Sequence, residues 1–91
     1  LEEKRKYVIA RQILRSGTSI GANVREAQNA ESKADFIHKI KLAAKEADET
    51  LYWLKLCELS ENYPTDDSLT TSLQNVINVL SKIISSSKST L

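Results

Sequence analysis

The sequence predicts an all-α fold, an antiparallel up-and-down helical bundle, and three observations support it. Apolar residues recur every three or four positions along three separate segments, which is the spacing of one helix face. Two glycines and one proline in 91 residues are too few for the frequent turns of an all-β protein. Short connections between the segments favour antiparallel neighbours in a single domain, residues 1–91.

The first helix is predicted at about residues 3–29. Its expected core face follows alternating spacings of three and four: Ile9, Ile13, Ser16, Ile20, Asn23 and Ala27. Gly17 and Gly21 each disfavour a helix interior by about 1 kcal/mol relative to alanine, yet the repeat keeps its phase through both. We therefore expect a continuous or kinked helix whose glycine strip lets another backbone approach closely, with a hinge as the alternative.

The second and third helices are predicted at about residues 33–61 and 67–86, followed by a polar tail at 87–91. Ser32 is the expected N-cap of the second helix. Pro64 is expected to end that helix, because it disfavours helical geometry at the preceding residue. Long helices with apolar faces this wide predict a fourth partner helix, from the same chain or from another subunit.

The charges are unevenly distributed along the chain. Residues 1–45 hold ten Lys/Arg and five Asp/Glu, a net +5, whereas residues 46–91 hold three and seven, a net −4. At about 100° per residue, four cations of the first helix fall within an arc of about 80°, opposite the apolar face: Lys4, Arg11, Arg15 and Arg25. We call these four residues the basic stripe.

Arginine forks suit phosphate oxygens, so the basic stripe is the candidate nucleic-acid-binding surface. Two other interpretations remain open: a solvated helix face, or ion pairs with Glu46 and Glu49 of the second helix. Few aromatic residues interleave with the stripe, which argues against a stacking platform for single strands.

No pattern for catalysis or metal binding emerges from the sequence. A metal site in a bundle needs several glutamates with Glu-x-x-His motifs, and His38 is the only histidine. Because no nucleophile, base and orienting group recur at a known spacing, we expect no enzyme and no cofactor. The single cysteine, Cys57, fits a reducing compartment, so we expect a cytoplasmic protein. No apolar run approaches the roughly 20 residues that cross a bilayer, and no membrane partner is expected.

Two stretches resemble the signatures of one bacterial family. The first is residues 11–27, RQILRSGTSIGANVREA, and the second joins residues 35–39, DFIHK, to residues 45–54, KEADETLYWL. Both resemble the 23S rRNA intervening-sequence proteins, also called S23-like or bacterial four-helix-bundle proteins. The resemblance covers nearly the whole chain. It implies a four-helix bundle, and the first family helix, which would precede Lys4, is absent from this sequence.

The resemblance also implies partners and residue roles. A related branch, the accessory protein of diversity-generating retroelements, forms a ring-like homopentamer whose basic surface engages nucleic acid and a reverse transcriptase. By this resemblance we expect a homo-oligomer, a pentamer or alternatively a dimer, with RNA, DNA or a reverse transcriptase as partners. Helix packing and a polar network between helices would involve Ser16, Gly17, Ser19, Gly21, Asn23, Glu26, Glu46 and Glu49. Independently of the resemblance, the large aromatic side chains of Tyr52 and Trp53 are expected to anchor helix packing or a subunit contact.

The sequence therefore predicts a non-catalytic, oligomeric bundle that binds RNA or DNA through the basic stripe. The alternative is a protein–protein scaffold with no nucleic-acid role.

Overall fold

A computed structural model of the protein describes residues 2–59 and 67–89. Nearly all of them lie in three α-helices: α1 (Glu2–Gln28), α2 (Lys33–Glu58) and α3 (Asp67–Ser89). The all-α prediction is confirmed. Pro64, the predicted end of the second helix, and residues 90–91 of the predicted tail lie outside the described residues.

The helix ends differ from the predicted bounds in two places. α2 ends at Glu58 rather than near residue 61, because Leu59 takes the C-cap position and its N–H donates back to carbonyls within α2. α3 continues through the serine-rich segment to Ser89 instead of ending near residue 86. Ile84 and Ser87 are half-buried in these last turns, so packing outweighs the modest helix propensity of serine.

The local signals along α1 and α2 behave as expected. α1 is continuous, and neither of its glycines has a positive φ. The side chain of Ser32 caps α2 by accepting a hydrogen bond from the Asp35 N–H at 3.0 Å. A cap of this kind satisfies one of the unpaired donors at a helix N-terminus and contributes about 1 kcal/mol.

α2 is the central helix of the bundle. Both α1 and α3 pack on it, whereas no described Cα of α1 lies within 8 Å of one in α3. α1 and α2 are antiparallel, since Ser16 contacts Thr50 while Glu26 contacts Lys39 further along. The result is an elongated molecule of 49 × 20 × 13 Å.

The buried core follows α2 and is small. Its buried apolar side chains are Ala27, Ile37, Ile40, Ala43, Ala47, Leu73 and Leu80. The predicted core residues Ile9, Ile13 and Ile20 of α1 are only half-buried, because α1 and α3 flank α2 without covering each other. Large apolar side chains also remain exposed: Tyr7, Val8, Leu14, Tyr52, Leu59, Leu69, Val76 and Val79. This three-helix arrangement thus leaves apolar surface on both outer helices.

Candidate functional site

The basic stripe lies on the outward face of α1. All four side chains, those of Lys4, Arg11, Arg15 and Arg25, are exposed. At 1.5 Å of rise per residue, the stripe extends about 32 Å along the helix. Among the described side chains, Lys4 and Arg25 form no ion pair. Arg25 lies in the last turn of α1, where a cation also stabilises the helix dipole.

Arg15 differs from the rest of the stripe because it is bound to α2. Its Nη2 donates to Glu49 Oε2, its Nη1 lies 3.5 Å from Glu46 Oε2, and its Nε donates to Gln12 Oε1 at 3.0 Å. Nearly half of the Arg15 side chain, 48%, is still exposed, so water screens these pairs and their contribution to stability is small. Of the basic stripe, Arg15 is the residue that forms the predicted ion pairs with α2. The side chains of Lys4, Arg11 and Arg25 keep their charges outward.

Arg11 packs on an aromatic ring. Its guanidinium carbon lies 5.8 Å from the ring centroid of Tyr7, one helix turn earlier. A cation over an aromatic face at this distance is attracted by the ring quadrupole. Tyr7 is 62% exposed, so an aromatic side chain does interleave with the basic stripe. The spacing of four residues places Tyr7 and Arg11 on the same face, but Tyr7 was not among the predicted site residues.

Two shallow depressions adjoin on this half of α1, and Val8 lies in both. Cations make up two of the four lining residues in each depression. The first is lined by Lys4, Arg5, Val8 and Ile9, and the second by Val8, Arg11, Gln12 and Arg15. Arg5 was not assigned to the stripe but is also exposed. The N-terminal half of α1 therefore combines several outward cations with exposed apolar surface.

A buried hydroxyl pair connects α1 to α2. Thr50 Oγ1 lies 2.6 Å from Ser16 Oγ, and Ser16 is completely buried. Ser16 Oγ also donates to the Gln12 carbonyl at 2.8 Å. Thr50 was not among the predicted site residues, although its spacing from Ala43 and Ala47 placed it on the core face of α2.

Polar contacts also join the two helices at their other end. Lys39 Nζ donates to Glu26 Oε1 at 2.9 Å, and this hydrogen bond and the Glu26 charge raise the pKa of Lys39. Asn23 behaves differently from the expected network, because its amide donates to the Ser19 carbonyl within α1 at 2.9 Å. The Asn23 side chain therefore bonds within one helix, whereas Glu26 connects two.

Residues 1–86 match the family described as 23S rRNA-intervening sequence protein. The chain belongs to this family. It is also similar to the crystal structure of a protein of unknown function from the S23 ribosomal protein family of Bacteroides thetaiotaomicron, at 46% sequence identity and a TM-score of 0.83. That similarity covers 91% of this chain and 79% of the other. No curated protein matches the chain.

The glycine strip of this 23S rRNA-intervening sequence protein is open. Apart from the adjoining backbone of α1 itself, a Cβ built at Gly17 or Gly21 would meet no heavy atom of the described residues within 4 Å. The predicted close approach of a backbone to this strip therefore does not occur among residues 2–59 and 67–89. The reason is geometric: α2 contacts α1 through Ser16, and at about 100° per residue the two glycines point well away from that contact.

The aromatic pair of α2 divides into one exposed and one packed ring. Tyr52 is 59% exposed, and Trp53 is half-buried. The two rings meet edge to face with centroids 5.2 Å apart, a favoured arrangement of aromatic quadrupoles. Of the two predicted subunit contacts, Tyr52 is the one that offers surface to a partner.

The family protein shows no metal site or membrane span in the part that the structure describes. No group of three or more His, Cys, Asp or Glu residues there could hold a metal ion. None of the described helices is long and apolar enough to cross a bilayer.

Proposed function

We propose that this 23S rRNA-intervening sequence protein is a non-catalytic, oligomeric adaptor that binds RNA or DNA through the outward face of α1. The observation that carries the proposal is the exposure of Lys4, Arg11 and Arg25 along one helix face, with no acidic partner among the described side chains. Cations in such a row neutralise phosphates and release counterions, which is the main source of affinity for a nucleic-acid backbone.

Arg15 is left out of this interface. Its guanidinium already engages Glu46 and Glu49, and a phosphate would have to displace both carboxylates to reach it. Three outward cations predict that the logarithm of affinity falls with the logarithm of salt concentration at a slope of about −2 to −3, since each phosphate contributes about 0.7–0.9.

Association is proposed because the bundle leaves apolar surface uncovered. The half-buried Ile13 and Ile20 of α1 and the exposed Val76 and Val79 of α3 would lose contact with water in an assembly. The outer part of α3 is also poor in charge, since Lys82 is the only charged residue between residues 68 and 87. Depletion of charge is typical of the centre of a protein interface. A pentamer by family resemblance, or a dimer, is the expected assembly.

The nucleic-acid proposal is tested by reversing the charge of its three cations. The variant K4E/R11E/R25E should lose binding to a labelled RNA at low salt, while far-ultraviolet circular dichroism stays unchanged. The matched control is K41E/K45E/K55E, which changes net charge equally at exposed positions of α2 and should bind better than the stripe variant. Equal losses in both variants would mean that net charge, rather than this face, governs binding.

The second candidate function is a protein–protein scaffold, favoured by the same exposed apolar surface. Its partners would be further copies of the chain and another protein, such as the reverse transcriptase that the retroelement resemblance predicts. It predicts stability that depends on concentration and no mass change with RNA in light scattering. A Tyr52→Ser variant tests the subunit contact, and an unchanged oligomer would exclude Tyr52 from it.

We place the protein in the cytoplasm. Its one cysteine, Cys57, is unpaired and partly buried, and proteins with no disulfide framework are typical of reducing compartments.

A further inference from the structure

We propose that Tyr7, together with Arg11 and Lys4, forms a stacking site for an unpaired base of single-stranded nucleic acid. This inference rests on the proposed function and names its ligand more closely. It reverses the expectation that the stripe lacks aromatic side chains.

The first argument is the exposure and setting of the ring. Tyr7 is 62% exposed, and the exposed cations Lys4 and Arg11 lie one helix turn before and after it. Arg11 lies over the ring at 5.8 Å from its centroid. A flat, electron-rich surface between two cations matches a nucleotide, in which a flat base is joined to an anionic phosphate.

The second argument concerns which nucleic acid can use such a ring. Bases in a duplex are already stacked and paired, so an exposed tyrosine on a straight helix has no base face to meet. Unpaired bases stack on aromatic side chains regardless of sequence, because every base has a π-face. Duplex would engage only the cations of α1, whereas single strands would engage the cations and Tyr7.

The third argument is the surface around the two cations that flank Tyr7. Lys4 lines one shallow depression and Arg11 lines another, and the apolar side chain of Val8 lies in both. This surface accommodates the sugar of a nucleotide whose phosphate reaches Arg11 or Lys4. The carboxylates described nearby, Glu46 and Glu49, are engaged by Arg15, so they do not compete for Arg11.

The experiment is fluorescence anisotropy at low salt with three labelled probes: oligouridine and oligothymidine of about ten nucleotides, and a blunt RNA duplex of about 16 base pairs. Tyr7→Ser should weaken binding of both single strands by about 5- to 150-fold, the range expected for losing one stacked base. Duplex binding should stay unchanged. Tyr7→Phe keeps the ring and should stay close to the parent.

Leu14→Ser is the matched control, since it removes an apolar side chain of similar exposure, 68%, from the same helix. It should leave all three affinities unchanged. Weaker binding of oligouridine, of oligothymidine or of both by Tyr7→Ser, with duplex binding unchanged, supports the stacking site.

Three results would overturn the inference. If Tyr7→Ser binds single strands like the parent, while K4E/R11E/R25E does not, the stacking site is wrong and the proposed function stands. If Tyr7→Ser weakens duplex and single strands equally, or dissociates the oligomer, Tyr7 has a structural role instead. If the parent binds none of the three probes, the proposed function fails together with the inference.

Discussion

Ser16 and Thr50 form a hydrogen-bonded pair, 2.6 Å between their hydroxyl oxygens, at the centre of the α1–α2 interface. Each hydroxyl also lies 2.8 Å from a carbonyl one turn earlier in its own helix, that of Gln12 or Glu46. The two hydroxyl protons are thus shared among three contacts: Ser16 with the Gln12 carbonyl, Thr50 with the Glu46 carbonyl, and Thr50 with Ser16. If one hydroxyl is removed, the other still bonds to the carbonyl of its own helix. The pair favours this register of the two helices, because Thr50 is the one polar residue among the buried residues of α2.

The first prediction is that this pair couples the two helices energetically. Ser16→Ala and Thr50→Val should each lower the free energy of unfolding by about 0.5–1.5 kcal/mol. The double variant should lose less than the sum, since either single change already breaks the shared bond. Urea unfolding at one fixed protein concentration measures all three.

Thr18→Ala is the control for this cycle. Thr18 makes the same kind of bond to a carbonyl one turn earlier, at 2.8 Å from the Leu14 oxygen, but is exposed. It should change stability by no more than about 0.5 kcal/mol. Strict additivity of Ser16→Ala and Thr50→Val would show that the 2.6 Å contact contributes no coupling.

The second prediction concerns the carboxylates that hold Arg15. Replacing Glu46 and Glu49 with glutamine releases the guanidinium, so RNA should bind more tightly and with a salt slope steeper by about 0.7–0.9, one further phosphate. Adding Arg15→Gln should remove that gain. Titrations at several salt concentrations measure both quantities.

The control for the second prediction removes the same amount of negative charge elsewhere. Glu31 and Asp48 are exposed acids outside these ion pairs, so E31Q/D48N should raise affinity less than E46Q/E49Q. If the two double variants gain equally, release of Arg15 contributes nothing beyond net charge.

Local sequence patterns predicted the helices well because the responsible interactions are local. The apolar repeat, the Ser32 cap and the phase through Gly17 each act within a few residues of one helix. The features that local patterns left open depend on which helix faces pack against each other. Whether Arg15 faces phosphate or carboxylate depends on the rotation of α2, which places Glu49 against it, and the periodicity of α1 contains no such information.

The same reasoning explains the open glycine strip of α1, but not the second feature that the sequence prediction missed, the contact between Arg11 and Tyr7. A pattern of small residues shows that a backbone could approach Gly17 and Gly21, but not that α2 packs on another side of the helix. The stacking of Arg11 on Tyr7 was accessible from spacing alone. It was missed because the stripe was defined by its cations alone, and Tyr7 was assigned no role.

The third prediction is that alanine stabilises the isolated chain at the open glycines. Beyond the adjoining α1 backbone, no described heavy atom lies within 4 Å of the added Cβ, so Gly17→Ala and Gly21→Ala should each raise the free energy of unfolding by up to about 1 kcal/mol. The reason is that alanine loses less backbone entropy than glycine in a helix. Thermal unfolding of dilute protein measures the effect.

The oligomeric state of the two glycine variants is the second measurement, and it can change in the opposite direction to their stability. If another subunit packs closely on this strip, the same substitutions should stabilise the dilute chain and yet shift light-scattering mass toward smaller species. Destabilisation of the dilute chain by Gly21→Ala would contradict the open environment of this residue.

The fourth prediction uses the thiol of Cys57. Burial raises its pKa, so at pH 8 less of it is thiolate than in the unfolded chain, and iodoacetamide should react more slowly with the native protein. Because the folded-state pKa is the higher one, the thiol's contribution to stability is complete below about pH 8.5, the ordinary cysteine pKa. That contribution is lost as the pH rises through the folded-state value.

Two measurements separate the Cys57 effect from those of other groups. The alkylation rate, compared between native and urea-unfolded protein, should differ most near pH 8 and converge as the pH rises. Unfolding free energies measured from pH 7 to 10 should fall more steeply for the parent than for Cys57→Ala, which keeps Lys39 and every other titrating side chain. Parallel curves for the two proteins would show that the Cys57 thiol titrates alike in the folded and unfolded states.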